Sequence, residues 1–395
     1  MSQQLIFIPI VGISQLIFIS NISRRLENEE YSQTLLIINL SSIVTFLDFG
    51  LLYSYFYFAS TNYENSYNMN QINRKFAILT IKLVALEISI AILLICLDFY
   101  KTIGLYLLIF ALNIPGLMNL TQLRTRNMHL TFLSIFNLSW PLSVGFLIYF
   151  ETLHPLHLTR NIGYLPIATS ALINSIYLVA TWKKSLFSKI LTKNDGGIGR
   201  KMPLASFIPG VFINSTLFAI VTQCDKYFAS VITSGRELSL FLTYSQISTS
   251  ILGILNLAYL NSKLTQNQYK RFSMKLSLYP GALAGLLFIS VSAIFINLFF
   301  HDLYNSKILL LLGSINLLLY GILLSVNAQI TARGNPNYRF PGLLSQVMVI
   351  ISCYFIGSSN ISIVSLQFVI ALSIGINIAV GLFLLHSKFL ENTIQ

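Results

Sequence analysis

Apolar stretches long enough to cross a bilayer recur from one end of this chain to the other, with short polar connections between them. A helix rising 1.5 Å per residue needs about 17 to 25 mostly apolar residues to cross a hydrocarbon core. That measure places spans at 5–22, 34–58, 76–97, 102–122, 129–150 and 162–182. A second set follows at 203–223, 237–260, 277–300, 307–329, 342–357 and 363–385, the stretch at 342–357 being short for a full crossing. The expected fold is an all-α polytopic membrane protein of about 12 transmembrane helices.

Only 10% of the 395 residues are charged, at a mean hydropathy of +0.71, where soluble domains carry about 25%. The net charge of +12 does not point to nucleic acid, because the basic residues lie in short loops and build no soluble basic domain. They report orientation instead, since cytoplasmic loops carry the excess of Lys and Arg. With the N-terminus inside, the inner connections and the C-terminus hold seventeen Lys and Arg against seven in the outer ones. Both termini are therefore expected in the cytoplasm. No basic n-region or cleavage site marks a removed signal peptide. Cys96, Cys224 and Cys353 lie in or beside apolar segments, in no paired or metal-ligand spacing, so neither disulfides nor a metal is expected.

The longest inner loop, Lys183 to Lys201, divides the sequence into an N-terminal six-helix bundle (1–182), a basic inter-bundle loop (183–202) and a C-terminal six-helix bundle (203–395). An internal echo supports the division. Phe7-Ile8-Pro9 recurs as Phe207-Ile208-Pro209, and Glu30-Tyr31-Ser32 as Glu237-Leu238-Ser239. Both copies begin on the cytoplasmic side, so the halves read as parallel bundles around a central cavity, with a site near the midplane. Most of the prolines inside spans need nothing beyond ordinary helix curvature, but the matched Pro9 and Pro209 are candidate bending points.

Asp48 sits near the middle of the second span, where a charge costs about 2.5 to 3.5 kcal/mol even on a lenient insertion scale. Ser41, Thr45 and Asp48 follow i, i+4, i+7 spacing and share a face. The third span adds Lys82, at a depth that permits an ion pair with Asp48, and Glu87, close to the midplane. Two readings compete. In one, Lys82 snorkels to the cytoplasmic surface and Asp48 merely bonds a neighbouring helix. In the other, all three line the cavity, Asp48 holds and releases Lys82, and Glu87 carries an exchangeable proton. Asn316, Tyr320 and Asn327 on the tenth span, and Ser245, Ser248, Thr249 and Asn256 on the eighth, are either cargo contacts or helix-to-helix glue.

The five histidines are scattered over helix ends and loops, and His154 and His157 lack a third ligand beyond Glu151. No Walker loop is present. These features argue against catalytic or ATP-driven machinery within this chain, and no cofactor is expected beyond coupling to protons or a monovalent cation.

Three short motifs carry a resemblance. Arg24-Arg25-Leu26-Glu27-Asn28-Glu29-Glu30-Tyr31-Ser32, followed by Leu47-Asp48-Phe49-Gly50, resembles the Arg-x-Leu-Gly-x-Glu-x-Tyr-Gly and Leu-Asp-x-Gly stretches of bacterial O-antigen and polysaccharide lipid-linked oligosaccharide flippases. These belong to the multidrug/oligosaccharidyl-lipid/polysaccharide exporter superfamily. Asp225-Lys226-Tyr227-Phe228-Ala229-Ser230 is similar to the stretch leaving their seventh span, and Asn327-Ala328-Gln329 with Gly334 to the end of their tenth. Glu27, Ser32 and Ser239 stand where glycines are usual, and Lys226 replaces an arginine. The resemblance implies a flippase of the bacterial inner membrane that moves undecaprenyl-diphosphate-linked oligosaccharide by alternating access. It further implies a polysaccharide polymerase and a chain-length regulator as partners beside membrane lipids, and no nucleic acid. Arg24 matches the family's cationic site. Arg24, Arg25, Lys82 and Lys226 would supply cations for the diphosphate, with Asn316, Tyr320 and Asn327 facing sugars. A membrane polymerase or ligase shares this hydropathy but presents a large outer loop, and the outer connections here are short. A multidrug exporter of the same superfamily shares the architecture and differs only in cargo.

Overall fold

The computed structural model describes residues 2–44, 48, 50–61, 66–97, 101–125, 131, 135, 138–153, 160–190, 204–255, 274–299, 307–333, 339–357 and 362–386. The helices are α1 (Ser2–Ser23), α2 (Asn28–Val44), α3 (Leu51–Thr61), α4 (Ser66–Cys96), α5 (Lys101–Thr125), α6 (Ser139–Leu153) and α7 (Leu165–Ala180). They continue as α8 (Leu204–Ile232), α9 (Gly235–Leu255), α10 (Met274–Phe299), α11 (Lys307–Arg333), α12 (Phe340–Gly357) and α13 (Ile363–His386). Among the described residues there is no strand, and the chain is an all-α, multi-pass membrane protein. Among the described residues five stretches are long and apolar enough to cross a bilayer by themselves: Met69–Cys96, Lys101–Leu123, Asn161–Ala180, Lys307–Asn327 and Ile363–His386.

These helices are apolar nearly all round, as expected when the outer surface meets lipid rather than water. On α4, Ile78, Ile81, Leu86, Ile90 and Leu93 are exposed, while Phe76, Thr80, Leu83, Glu87 and Ala91 form the buried stripe at i, i+4, i+7 spacing. Small residues let the helices close up. Gly116 on α5 lies so near α7 that a Cβ there would stand 2.5 Å from the Asn174 carbonyl oxygen. Beside it the Asn174 Nδ2 donates to Asn113 Oδ1 at 2.7 Å. Gly116→Ala should therefore force α5 and α7 apart and cost about 1 to 3 kcal/mol of stability. Gly145→Ala on α6, where a Cβ would meet nothing within 4 Å, is the matched control, and thermal unfolding in detergent distinguishes the two.

The chain forms two compact units, one comprising 1–39, 157–160 and 217–395, the other 40–156 and 161–216. The basic loop that divides the sequence is not where these units divide, because the first 39 residues lie with the second set of helices. In the first unit α9 packs on α1, α10 and α11, α11 on α10 and α13, and α12 on α13. In the other, α3 and α4 pack on each other and on α5, α5 on α7, and α7 on α6.

One expected span is corrected. The stretch 34–58 is not a single helix: α2 ends at Val44 and α3 begins at Leu51. Gly50 adopts φ +72°, a left-handed conformation that glycine reaches without strain. Of the fifth expected span, 129–150, the stretch from Ser139 is described as α6 (Ser139–Leu153), and most of 129–137 lies outside the described residues.

Candidate functional site

The break between α2 and α3 explains the local role of Asp48. Its Oδ1 accepts the Gly50 N–H at 3.0 Å, its Oδ2 the Leu52 N–H at 2.9 Å, and its carbonyl the Leu51 N–H at 2.9 Å. Donors at the start of a helix have no intrahelical partner, and a carboxylate just ahead of them satisfies the donors and the helix dipole together. Asp48 thus caps a helix that starts inside an apolar segment, and it is buried.

Glu87 shares this interior. It lies on the buried stripe of α4 at 2% exposure, and among the described residues neither carboxylate oxygen has a hydrogen-bond partner. The charge that bears on it is that of Asp48. Lys82 is elsewhere. It is exposed on the apolar outer face of α4, and among the described residues no ion pair joins it to Asp48. The expected pair fails for two reasons. Depth along a helix says nothing of azimuth, and residues five apart diverge by about 140°. The Asp48 oxygens are, moreover, already bonded to backbone. Of the polar stripe with Asp48, the Ser41 side chain and Thr45 lie outside the described residues.

In the other unit, Arg24 and Arg25 are exposed at the turn between α1 and α2. Pro9 and Pro209 lie within α1 and α8, both of which continue through them. Lys226 is 2% exposed and donates to Gln223 Oε1 at 2.6 Å, so it stands inside the protein. Asn316 Nδ2 donates to Gln367 Oε1 at 2.5 Å, tying α11 to α13. Tyr320 is half-buried on α11, and Gln346 Oε1 of α12 accepts from Asn377 Nδ2 of α13 at 2.7 Å. Asn327 is buried on α11. Asn316 is thus engaged in a link between two helices. Asp225 Oδ1, Asn316 Oδ1 and Gln346 Nε2 nevertheless remain without partners among the described residues. On the eighth span Thr249 bonds the Ser245 carbonyl of its own helix, and Asn256 lies outside the described residues.

Sequence reasoning missed a polar seam along α9. Ser239 Oγ donates to the Asn28 carbonyl at 2.8 Å, the Tyr31 hydroxyl and Thr243 Oγ1 share a bond of 2.9 Å, and Ser250 Oγ donates to Gln15 Oε1 at 2.6 Å. Positions 239, 243 and 250 recur at i, i+4 and i+11, so one face of α9 holds the α1–α2 hairpin over about 16 Å. The only sequence signal was the echo of Glu30-Tyr31-Ser32 in Glu237-Leu238-Ser239.

Among the described residues no three His, Cys, Asp or Glu side chains gather as a metal site, while His129, His154, His157 and His301 lie outside them. The sequence matches no family model, and no curated protein matches it. Solved structures do match its fold. The inward-facing conformation of a multidrug resistance MATE family transporter of the MOP superfamily aligns at TM-score 0.65 and 13% identity, over 97% of this chain and 95% of that one. An outward-facing structure of such a transporter aligns at 0.57 and 14% identity, over 98% and 96%. The eukaryotic MATE transporter AtDTX14 aligns at 0.55 and 13%, over 99% and 95%. This chain has the fold of those transporters, twelve membrane helices in two bundles.

Proposed function

We propose that this protein is a secondary transporter that exports amphipathic cargo by alternating access. The observation that carries the reading is the end-to-end match of the fold to transporters captured facing inward and outward. Those two neighbours are named as multidrug resistance transporters, and multidrug export is accordingly the first reading of the cargo. Glu87 carries the coupling ion, and Asp48, whose oxygens are held by backbone donors, is the buried carboxylate beside it, in a gating role. A buried carboxyl without a donor is tolerated with a proton or a small cation on it, and exchange of that ion would drive transport.

A second reading of the cargo rests on the motif residues Arg24 to Ser32 and Asp225 to Ser230. A lipid-linked oligosaccharide needs cations for its diphosphate, and Arg24 and Arg25 are exposed at the α1–α2 turn. Lys82 adds an exposed cation on α4. The burial of Lys226 makes it available to a diphosphate only after a rearrangement.

Proteoliposomes holding the full chain separate the two. A multidrug exporter accumulates a lipophilic cationic dye under an imposed ion gradient, and Arg24→Ala with Lys82→Ala leaves that rate intact. A flippase instead moves undecaprenyl-diphosphate-linked oligosaccharide, scored by enzyme access to the sugar, and the same double variant lowers that rate about tenfold or more, as loss of charge-assisted phosphate contacts demands. Movement of neither cargo under any gradient overturns the transporter reading.

A further inference from the structure

The chain turns sharply after α7, and the turn is a built object. Residues 181–190 form two short 3-10 turns, Trp182–Lys184 and Phe187–Ile190. Serines knot them together: Ser185 Oγ donates to the Trp182 carbonyl at 2.7 Å, and Ser188 Oγ to the Ser185 carbonyl at 2.8 Å. Thr181 is tied to the far end of α5, where Asn119 Nδ2 donates to its Oγ1 at 2.8 Å. Leu186 and Phe187 are buried, and the second turn packs on α4. The Trp182 indole stacks on Phe187 at 6.5 Å with the rings 7° from parallel, yet it remains 47% exposed. Lys183 and Lys184 beside it are exposed.

The elbow lies at the membrane face where α4 begins and α5 and α7 end. In 66–80, 115–125 and 175–190, the segments that reach this face, the basic residues are Arg74, Lys75, Arg124, Lys183, Lys184 and Lys189, and no acidic residue is present. By loop charge this is the cytoplasmic face. An indole at the boundary between acyl chains and headgroups, with two lysines fixed just beyond it, suits an anionic lipid. We propose that the 181–190 elbow is a docking site for an anionic phospholipid, whose phosphate is held by Lys183 and Lys184 while Trp182 packs on the start of its acyl chains. The site is independent of the cargo.

The chain has only two tryptophans, so Trp140→Phe leaves Trp182 as the sole indole reporter. In vesicles containing phosphatidylcholine and phosphatidylglycerol, bromine is placed on the acyl chains of one lipid or the other and quenching is compared. Each lysine near an anionic surface favours the charged lipid by about fivefold, so the two together should favour phosphatidylglycerol at the site about 25-fold at equal mole fraction, and its brominated form should quench Trp182 correspondingly more strongly. Lys183→Gln with Lys184→Gln should bring the two lipids to parity, while Lys101→Gln with Lys307→Gln should change nothing. Inorganic phosphate at matched concentration should not compete. Equal quenching by both lipids overturns the proposal. So does a preference that survives the Lys183, Lys184 variant, one that falls equally with Lys101 and Lys307, or one abolished by free phosphate.

Discussion

Glu87→Gln is expected to reduce gradient-driven transport to the leak level while expression and folding persist. An ionised carboxylate in mid-membrane costs about 2.5 to 3.5 kcal/mol on the lenient scale, and a buried acceptor without a donor forfeits roughly 1 to 3 kcal/mol more. Glu87 has both handicaps, being buried, with neither oxygen partnered among the described residues, and facing the charge of Asp48. Such a group is kept by function, since packing gains nothing from it. Glutamine matches its shape and cannot exchange a proton or hold a cation by charge. Transport by the wild type should follow an imposed proton or sodium gradient, and transport by the variant should be blind to both. Glu87→Leu removes the unpartnered acceptors altogether and should hold or raise Tm while losing transport equally. If either variant keeps its gradient response, Glu87 is not the coupling group.

The break at Asp48 shows where sequence reading loses information. Hydropathy runs unbroken from Thr34 to Phe58, and a window average cannot register a helix that stops and restarts within it. The signal was nonetheless present in Asp48-Phe49-Gly50, an oxygen-bearing cap residue and a glycine suited to positive φ. The ion pair with Lys82 was expected from depth alone. Azimuth, at 100° per residue, separates Lys82 from the buried stripe that contains Glu87. Glu87 itself was legible because a midplane carboxylate is anomalous in any apolar helix.

In the other unit the polar residues were legible as a class but not in their use. Asn316 and Tyr320 read as links or as cargo contacts, and Asn316 makes one such link, to Gln367. Lys226 looked like a loop cation because it lies six residues from the end of α8. Its burial depends on how α8 packs, which no local pattern encodes. The seam between the α1–α2 hairpin and α9 joins residues more than 200 apart in sequence, and only the internal repeat hinted that the two segments are counterparts.

That seam provides the second large expected effect. The seam lies within the compact unit that holds both 1–39 and 217–395, and a cycle in which the α1–α2 hairpin shifts along α9 must remake it at each turnover. The seam joins residues 15–31 to 239–250 through three side-chain bonds, each of about 0.5 to 1.5 kcal/mol, an amount a transport cycle can break. Tyr31, Ser239 and Thr243 are buried, so the hydrogen bonds are shielded from water while the seam is closed. Loosening it with Tyr31→Phe and Thr243→Val should shift the protein toward the opposite facing, and fastening it should stop the cycle.

The most direct measurement is made on Asn28→Cys with Ser239→Cys, in a background of Cys96→Ala, Cys224→Ala and Cys353→Ala, joined by a short disulfide-containing crosslinker. Transport in proteoliposomes is recorded before crosslinking, after it, and after reduction. Alternating access predicts arrest by the crosslink and full recovery on reduction, with either single cysteine unaffected. Undiminished transport by fully crosslinked protein would contradict it.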